Sequence, residues 1–254
     1  MWSTGIKHHQ KINRIARRKL SKLRTISDFP SVELLEHFEG HNGPDGLTIK
    51  SPGHNETDHY YDPFDDEDVA ILEDIDNHFN HLVKELNTAN EERKAFEASW
   101  LSHTLVDGLT PAHHTYQNEI AEVGEKEKGV GGLIVIKGEK PRQTLKNTWK
   151  VYGNKGVLTK HILFEGGVAA ISAPLKFNDF EVSENDIEEA TKMGLDGYFM
   201  MMAREIAMMR LYDEFLRTGW TTNLARMARD ELMPRIIKVV VAAWYLALEE
   251  ADKT

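Results

Sequence analysis

The chain has 254 residues, of which 41% are hydrophobic and 28% are charged, and it carries a formal net charge of −10 without any cysteine. A chain of this length can bury a large apolar core unaided, and the lack of cysteine excludes a disulfide scaffold, a zinc ribbon and thiol catalysis. The longest apolar run, residues 239–248, is too short to span a membrane, and the first residues lack the apolar stretch of a secretory leader. The sequence therefore predicts a soluble protein, which is cytoplasmic unless Met1 replaces a removed leader, in which case it is secreted or periplasmic.

Basic charge is concentrated at the N-terminal end. Residues 1–24 contain no acid and eight basic residues: Lys7, Lys11, Arg14, Arg17, Arg18, Lys19, Lys22 and Arg24. Such a segment could bind nucleic acid or anionic lipid, but runs of charge are more often a solvated helix face. The favoured interpretation is a helix that packs on the acidic remainder of the chain.

Apolar periodicity predicts helices along almost the whole chain. Ile12, Ala16 and Leu20 form one stripe of a helix over residues 6–24, and His9 falls on the same stripe and points inward. Residues 39–59 are rich in Gly, Pro, Asn and Asp, which predicts a loop. Further helices are predicted over residues 65–91, 93–108, 111–123, 157–172, 184–217 and 221–251.

One segment departs from this helical pattern. Residues 125–157 are Gly-rich and basic, and they contain an apolar run from Leu133 to Ile136. Such a run between turn residues is typical of a strand, so the segment predicts a hairpin or a mobile flap. Since no repeat or long linker divides the chain, we expect an all-α fold with a single multi-helix domain over residues 1–254 and this inserted flap.

The positions of the histidines indicate where a functional site lies. All twelve lie at or before position 161, so a metal or catalytic site is expected in the first two-thirds of the chain. His103 and Asp107 are four residues apart on a predicted helix, and His103 continues its apolar stripe through Phe96 and Trp100. An inward carboxylate needs a cation, which an imidazole together with a divalent metal would supply. Taken alone, this pair favours a hydrogen bond in the core over a metal site.

Other polar positions have a similar character. His161 and Glu165 repeat the four-residue spacing among apolar neighbours, and His59 precedes the sequence YYDP. Asp45 lies in the sequence GPDG, which is typical of a turn. Each of these positions is weak evidence by itself.

Together these motifs resemble the zinc-dependent phospholipase C and single-strand-specific nuclease superfamily. The family's central motif is His, three residues, Asp, three residues, Pro, one residue, His, and it is matched by His103, Asp107, Pro111 and His113. Its segment of His, two aromatics and Asp-Pro is matched at His59. The remaining family positions are matched, in chain order, by Trp2, His9, Asp45, His161 and Glu165.

The resemblance implies an all-helical fold that holds two or three Zn²⁺ ions per chain. One zinc would be held by Asp45, His59, His103 and Asp107. Asp107 would bridge to a second zinc, held also by His9 and the amine of the terminal Trp2. A third would be held by His113, His161 and Glu165, with a position open for water. His9 is preferred to His8 because it shares the inward stripe, and the other histidines are interpreted as non-ligands: His37, His41, His54, His78 (expected at the surface), His81 and His114.

The implied reaction is hydrolysis of a phosphate ester by a zinc-activated water, with Asp45 also acting as a general base. A phospholipase C-like hydrolase acting on phospholipid is the first expectation, because this chain has no cysteine, whereas members of the nuclease branch usually carry disulfides. A nuclease or 3′-nucleotidase acting on single-stranded nucleic acid or nucleotides is the alternative. A metal-binding protein without catalysis is a further alternative.

Two features depart from the family pattern. Trp2 follows Met1, whereas family members use the free amine of the terminal Trp as a ligand. In addition, 47 residues separate His113 from His161, and they include the predicted flap. Because basic side chains flank its apolar run, the flap could contact a lipid headgroup layer or a nucleic-acid backbone. Peripheral membrane contact without a transmembrane segment is therefore one expectation for this protein.

Overall fold

The computed structural model of the chain describes residues 3–40, 42–44, 60–114, 127–128, 134–135, 157–176 and 179–254. In these ranges the helices are, in chain order, α1 (Ser3–Leu23), α2 (Val32–Glu39), α3 (Ala70–Leu86), α4 (Glu91–Gly108), α5 (Val157–Ser172), α6 (Glu184–Met208), α7 (Leu211–Thr218), α8 (Thr222–Met227) and α9 (Met233–Ala251). A π-helical turn, Ala228–Leu232, leads into α9. Two-residue strands β1 (Glu127–Lys128) and β2 (Ile134–Val135) pair antiparallel inside the predicted flap, with Glu127 opposite Val135. The predicted all-α fold is confirmed.

The core is built around α9, which packs against α1, α3 and α6. Val239, Val240 and Trp244 of this helix are completely buried. The indole Nε1 of Trp244 donates a hydrogen bond to the carbonyl of Ala98 at 3.0 Å, which ties α9 to α4. Within the described ranges, no helix has the length and apolar character needed to cross a membrane.

Helix α1 has the predicted amphipathic character. Ile12, Ala16 and Leu20 are completely buried, as their helical spacing predicts. On the polar side, Arg24 pairs with Glu249 and Asp252 at the end of α9, at 3.2 and 2.7 Å. These ion pairs, with a further pair between α1 and α2, agree with the favoured interpretation that the basic segment packs on an acidic body.

Helix α2 is the element that the sequence did not predict. Its first turn is capped by Ser31, whose side chain accepts a hydrogen bond from the amide of Leu34. With only 8 residues it offers little apolar periodicity, although Leu35 is completely buried. The helix matters because its last residue, Glu39, is also completely buried.

The predicted helix over residues 65–91 is shorter than expected, since it begins only at Ala70 and residues 87–90 form a turn before α4. The side chain of Asn90 caps α4 by accepting a hydrogen bond from the amide of Arg93. Helices α3 and α4 pack against each other. The prediction that His78 is a surface residue is wrong: its Nδ1 lies 2.6 Å from Oε2 of the completely buried Glu97, because this part of α3 faces α4.

Helix α5 has the predicted bounds, but the two long closing helices are interrupted. Gly194 adopts a non-helical conformation within α6, with φ 73° and ψ 165°. Arg210, in the left-handed region with φ 52°, separates α6 from α7. The π-helical turn ends two residues before Pro234, whose ring nitrogen cannot donate to a preceding carbonyl. These breaks let the C-terminal third fold back as several shorter helices.

Candidate metal centre

One group of candidate ligands lies between α1 and α4. His9 Nε2 is 3.3 Å from Oδ1 of Asp107, and His103 Nε2 is 3.2 Å from Oδ2 of the same carboxylate. The two imidazole rings are stacked, with centroids 4.4 Å apart and 19° between their planes. All three side chains are buried. Because each ring faces a different oxygen, Asp107 could serve one metal ion or bridge two neighbouring ions.

Local sequence explains the position of Asp107 and His103. They stand one turn apart on the inner face of α4, as their spacing predicts, and Gly108 ends this helix. A Cβ atom on Gly108 would lie only 2.6 Å from the side chain of Ile71 and 2.7 Å from that of Phe199. Glycine at this position therefore allows the end of α4 that carries Asp107 to approach α3 and α6 closely.

A second group lies beside the first. Oε1 of Glu165 is 2.9 Å from Nε2 of His113 and 3.1 Å from Nε2 of His161. His161 and Glu165 stand one turn apart on α5, and His113 lies in the helical turn that begins at Pro111. His113 Nε2 is also 3.9 Å from Oδ1 of Asp107, so the two groups adjoin. Within each group the ligand atoms lie within 4.8 Å of one another.

Glu39 is a component that the sequence analysis missed. Its Oε1 lies 2.8 Å from Nδ1 of His103 and 3.7 Å from Nδ1 of His9. The sequence places it at the start of a predicted loop, and no local spacing relates it to either histidine. Only the packing of α2 against α1 and α4 brings this carboxylate to the site.

His8 stands next to His9 on α1, and its imidazole contacts the end of α5. Its Nδ1 is 3.2 Å from Oγ of Ser172, which itself donates a hydrogen bond to the carbonyl of Val168 at 2.7 Å. Since that hydroxyl hydrogen is engaged, the His8 Nδ1–H is the donor in the first contact. Burial, together with the neighbouring His9, lowers the pKa of His8 to about 3. His8 is therefore a neutral imidazole at ordinary pH.

The pKa values of His9, His103 and His161 in the two ligand groups are shifted in the opposite direction to that of His8. Burial and His103 disfavour the charged form of His9, yet the hydrogen bond and charge of Asp107 raise the pKa of His9. Against the same cost of burial, Asp107 and Glu39 raise the pKa of His103 well above its usual value. Burial also opposes the ionised form of Glu165, but His161 and His113 hold its pKa far below the usual range, and Glu165 raises the pKa of His161. The carboxylates therefore stabilise positive charge at the site, whether it lies on a protonated imidazole or on a bound cation.

These residues fit a divalent metal in each group. Zinc binds imidazole nitrogen and carboxylate oxygen at about 2.0–2.2 Å in tetrahedral geometry, which separates neighbouring ligand atoms by roughly 3.3–3.5 Å. The distances of 3.3 and 3.2 Å from Asp107 to His9 and His103 are close to that separation, whereas Glu165 lies at hydrogen-bond distances of 2.9 and 3.1 Å from His113 and His161. A mixed set of nitrogen and oxygen donors also suits zinc. A bound cation would supply the positive charge that the buried carboxylates require.

The structure does not cover every predicted site residue. Trp2, Asp45 and His59 lie outside the described residues, so their roles as ligands, and that of Asp45 as general base, stay predictions. The same holds for His41 and His54 and for most of the flap. His114 is buried with its Nε2 2.8 Å from the carbonyl of Gly108, and burial lowers its pKa to about 4. His37 is exposed and lies 2.8 Å from the side chain of Asn42, away from the metal-ligand groups.

Comparison with known proteins assigns neither a family nor a function to the chain. No protein-family model, curated protein or solved structure matches the chain. The resemblance to the zinc-dependent phospholipase C and nuclease superfamily therefore rests on the sequence motifs, and the candidate metal centre rests on the geometry given above.

Proposed function

We propose that the protein is a zinc-dependent phosphoesterase, a phospholipase C-like hydrolase that uses a zinc-activated water. The observation that carries the proposal is the adjacency of the two ligand groups, one around Asp107 and one around Glu165, with His113 3.9 Å from Asp107. A pair of adjoining metal ions is typical of enzymes that hydrolyse phosphate esters. The choice of phospholipid as substrate class rests on the length of the chain and on the absence of cysteine.

Bound zinc would supply a nucleophilic water at neutral pH and neutralise charge on the phosphoryl oxygens. The chain's own residues prepare the site for this chemistry. Asp107 and Glu165 present anionic oxygens that attract the cations, and the imidazoles of His9, His103, His113 and His161 complete the two ligand sets. Apart from Glu165, whose side chain is 31% exposed, these side chains are buried, so their charges act in a medium of low dielectric constant.

Activity assays test the proposal. Zinc-loaded protein is incubated with phosphatidylcholine, bis-p-nitrophenyl phosphate and single-stranded DNA, before and after removal of metal by a chelator. We expect hydrolysis of phosphatidylcholine and of the synthetic diester that disappears with the metal and returns when zinc is restored. Cleavage of DNA alone would favour the nuclease alternative, and no hydrolysis by fully loaded protein would favour a metal-binding protein without catalysis.

A matched pair of histidine variants separates loss of the site from loss of the fold. His161→Ala removes a ligand of the second group, and we expect hydrolysis to fall by at least about 10²-fold, as for loss of a group that organises a catalytic metal. His81→Ala removes an imidazole on α3 that is more than half exposed, and it should leave the rate unchanged. Equal rates for the two variants would contradict the proposed site.

A further inference from the structure

We propose that Glu39 is the positioning residue of the first ligand group: it holds His103 from behind by a hydrogen bond to Nδ1 and faces Nδ1 of the stacked His9, so that both rings present Nε2 to the metal. The inference rests on the proposed metal site and adds to it a residue that neither the motifs nor the ligand geometry includes. Glu39 touches the ligands rather than the metal, and it acts through them.

The contact with His103 fixes which nitrogen carries the proton. Glu39 Oε1 lies 2.8 Å from His103 Nδ1, and both side chains are completely buried. An ionised carboxylate can only accept hydrogen bonds, so Nδ1–H is the donor. In the neutral ring the lone pair then lies on Nε2, the atom that faces Asp107 at 3.2 Å. Glu39 thereby selects the tautomer that binds metal through Nε2.

The same oxygen also reaches the second ring of the stack. His9 Nδ1 lies 3.7 Å from Glu39 Oε1, while His9 Nε2 lies 3.3 Å from Asp107. The two stacked imidazoles therefore lie between two carboxylates, with Glu39 on their Nδ1 side and Asp107 on their Nε2 side. At 3.7 Å Glu39 makes no hydrogen bond with His9, so it acts on this ring through its charge, and the stacking on His103 relates the two rings.

Glu39 is itself held by residues from the helices that carry the ligands. Asn13, one turn after His9 on α1, lies with its Nδ2 3.5 Å from Glu39 Oε2. Ser102, which precedes His103 on α4, donates a hydrogen bond to Oδ1 of Asn13. All of these polar side chains are buried. The network links α1, α2 and α4 behind the ligands and leaves Glu39 little freedom to rotate.

The position of the Glu39 carboxylate lowers the stability of the fold unless positively charged or hydrogen-bonding partners compensate it. It is the last residue of α2, where the helix dipole disfavours a negative charge, and it is completely removed from solvent. Its buried carboxylate therefore needs the imidazoles, and through them the metal, as partners. Outer carboxylates of this kind raise the basicity of a ligating imidazole, and their loss typically costs about 10–100-fold in metal affinity.

Metal titration of the variant Glu39→Gln tests the inference. We expect zinc affinity at the first group to fall by about 10–100-fold, and the visible absorption spectrum of the cobalt-substituted protein to change. Glu97→Gln is the matched control, because Glu97 is equally buried and also contacts an imidazole, at 2.6 Å from His78, away from the site. It should bind zinc with wild-type affinity and give the wild-type cobalt spectrum.

A double-mutant cycle shows whether Glu39 acts through its ligand. In a His103→Ala background, Glu39→Gln should weaken zinc binding much less than it does in the wild type. Nitrogen-15 NMR of the zinc-loaded wild type gives a measurement that needs no variant: His103 should carry its proton on Nδ1. The opposite tautomer, or equal zinc affinities for Glu39→Gln and Glu97→Gln, would overturn the inference while leaving the metal site intact. A wild-type protein that binds no zinc would overturn the proposed function and this inference with it.

Discussion

His9 and His103 lie ring against ring, 4.4 Å apart, although they come from different helices, and each presents Nε2 to a different oxygen of Asp107. Two imidazolium rings in this arrangement would repel each other, although the surrounding carboxylates still raise the pKa of both rings. A divalent cation between the rings and Asp107 would satisfy the carboxylates without that repulsion. The stacking is therefore the strongest geometric reason to treat these residues as a metal centre rather than as a buried ion-pair cluster.

The first prediction concerns metal content. Purified wild-type protein should hold at least two zinc ions per chain, one for each ligand group. Asp107→Asn should lose at least about one of them, because a neutral amide is a poorer ligand than a carboxylate. Elemental analysis after gel filtration measures both. The control is Asp76→Asn, an exposed aspartate on α3, which should keep the wild-type content. Less than one zinc in the wild type, or unchanged content in Asp107→Asn, would contradict the ligand assignment.

The second prediction concerns pH. His9, His103 and His161 have raised pKa values in the metal-free protein, because neighbouring carboxylates outweigh the cost of burial. A raised histidine pKa stabilises the fold below the unfolded value of 6.5, and this stabilisation is lost as pH rises through the folded value. Above pH 6.5 the unfolding free energy of the metal-free protein should therefore fall.

Two other histidines do not disturb this window. His8 and His114 have pKa values lowered to about 3 and about 4, so above pH 6.5 they are neutral in both the folded and the unfolded state. Zinc replaces the protons of the ligands, and the zinc-loaded protein should not show the fall. Urea unfolding at several pH values, with chelator and with zinc, measures both curves. A metal-free stability that rises steadily above pH 6.5 would show that the assigned charges are wrong.

How much of the site the sequence could predict depends on whether the relevant contacts are local. The pairs His103–Asp107 and His161–Glu165 each lie one turn apart on a single helix, so their spacing is enough to predict that each pair shares one face. In the same way, the apolar stripe of α1 predicts that His9 points inward. The pairing of Glu39 with His103 crosses between helices, and no periodicity in either segment indicates it. Such a contact is a product of tertiary packing.

The same distinction explains the errors in the fold. An amphipathic pattern shows which residues of α3 are polar, but it does not show that His78 meets the buried Glu97 of α4. The sequence around Gly194 predicts a continuous helix, because a glycine inside a helix lowers its stability only modestly. Its conformation, with φ 73° and ψ 165°, instead divides α6 into two halves, and no pattern in the sequence indicates this break.

The third prediction follows from that conformation. Gly194→Ala should destabilise the protein by about 1–3 kcal/mol, since this backbone region is nearly restricted to glycine. A Cβ atom at this position would meet no other atom within 4 Å, so the cost is purely conformational. Gly197→Ala, in the same element, is the control; it should be neutral or stabilise the protein by up to about 1 kcal/mol. Urea unfolding compares the two variants, and an equal effect of both would contradict the assigned backbone of Gly194.

The last prediction uses two adjacent glycines on α5, immediately after the candidate ligand Glu165. A Cβ atom on Gly166 would meet nothing within 4 Å, whereas one on Gly167 would lie 1.9 Å from the indole nitrogen of Trp220. This indole stacks on Phe164, with ring centroids 5.3 Å apart, and its Nε1 donates to the carbonyl of Leu163 at 3.3 Å. Trp220 therefore packs directly on the part of α5 that carries the second ligand group.

Alanine at Gly167 must displace either Trp220 or α5. We expect Gly167→Ala to cost about 1–3 kcal/mol of unfolding free energy, as overpacking does, and to weaken zinc binding by the second group because Glu165 and His161 move with α5. Gly166→Ala should bind zinc as the wild type does and stabilise the helix by up to about 1 kcal/mol. Urea unfolding and zinc titration of both variants measure these effects. If Gly167→Ala lost stability but kept full zinc affinity, Trp220 would yield rather than α5, and the packing of this tryptophan would have no part in positioning the second ligand group.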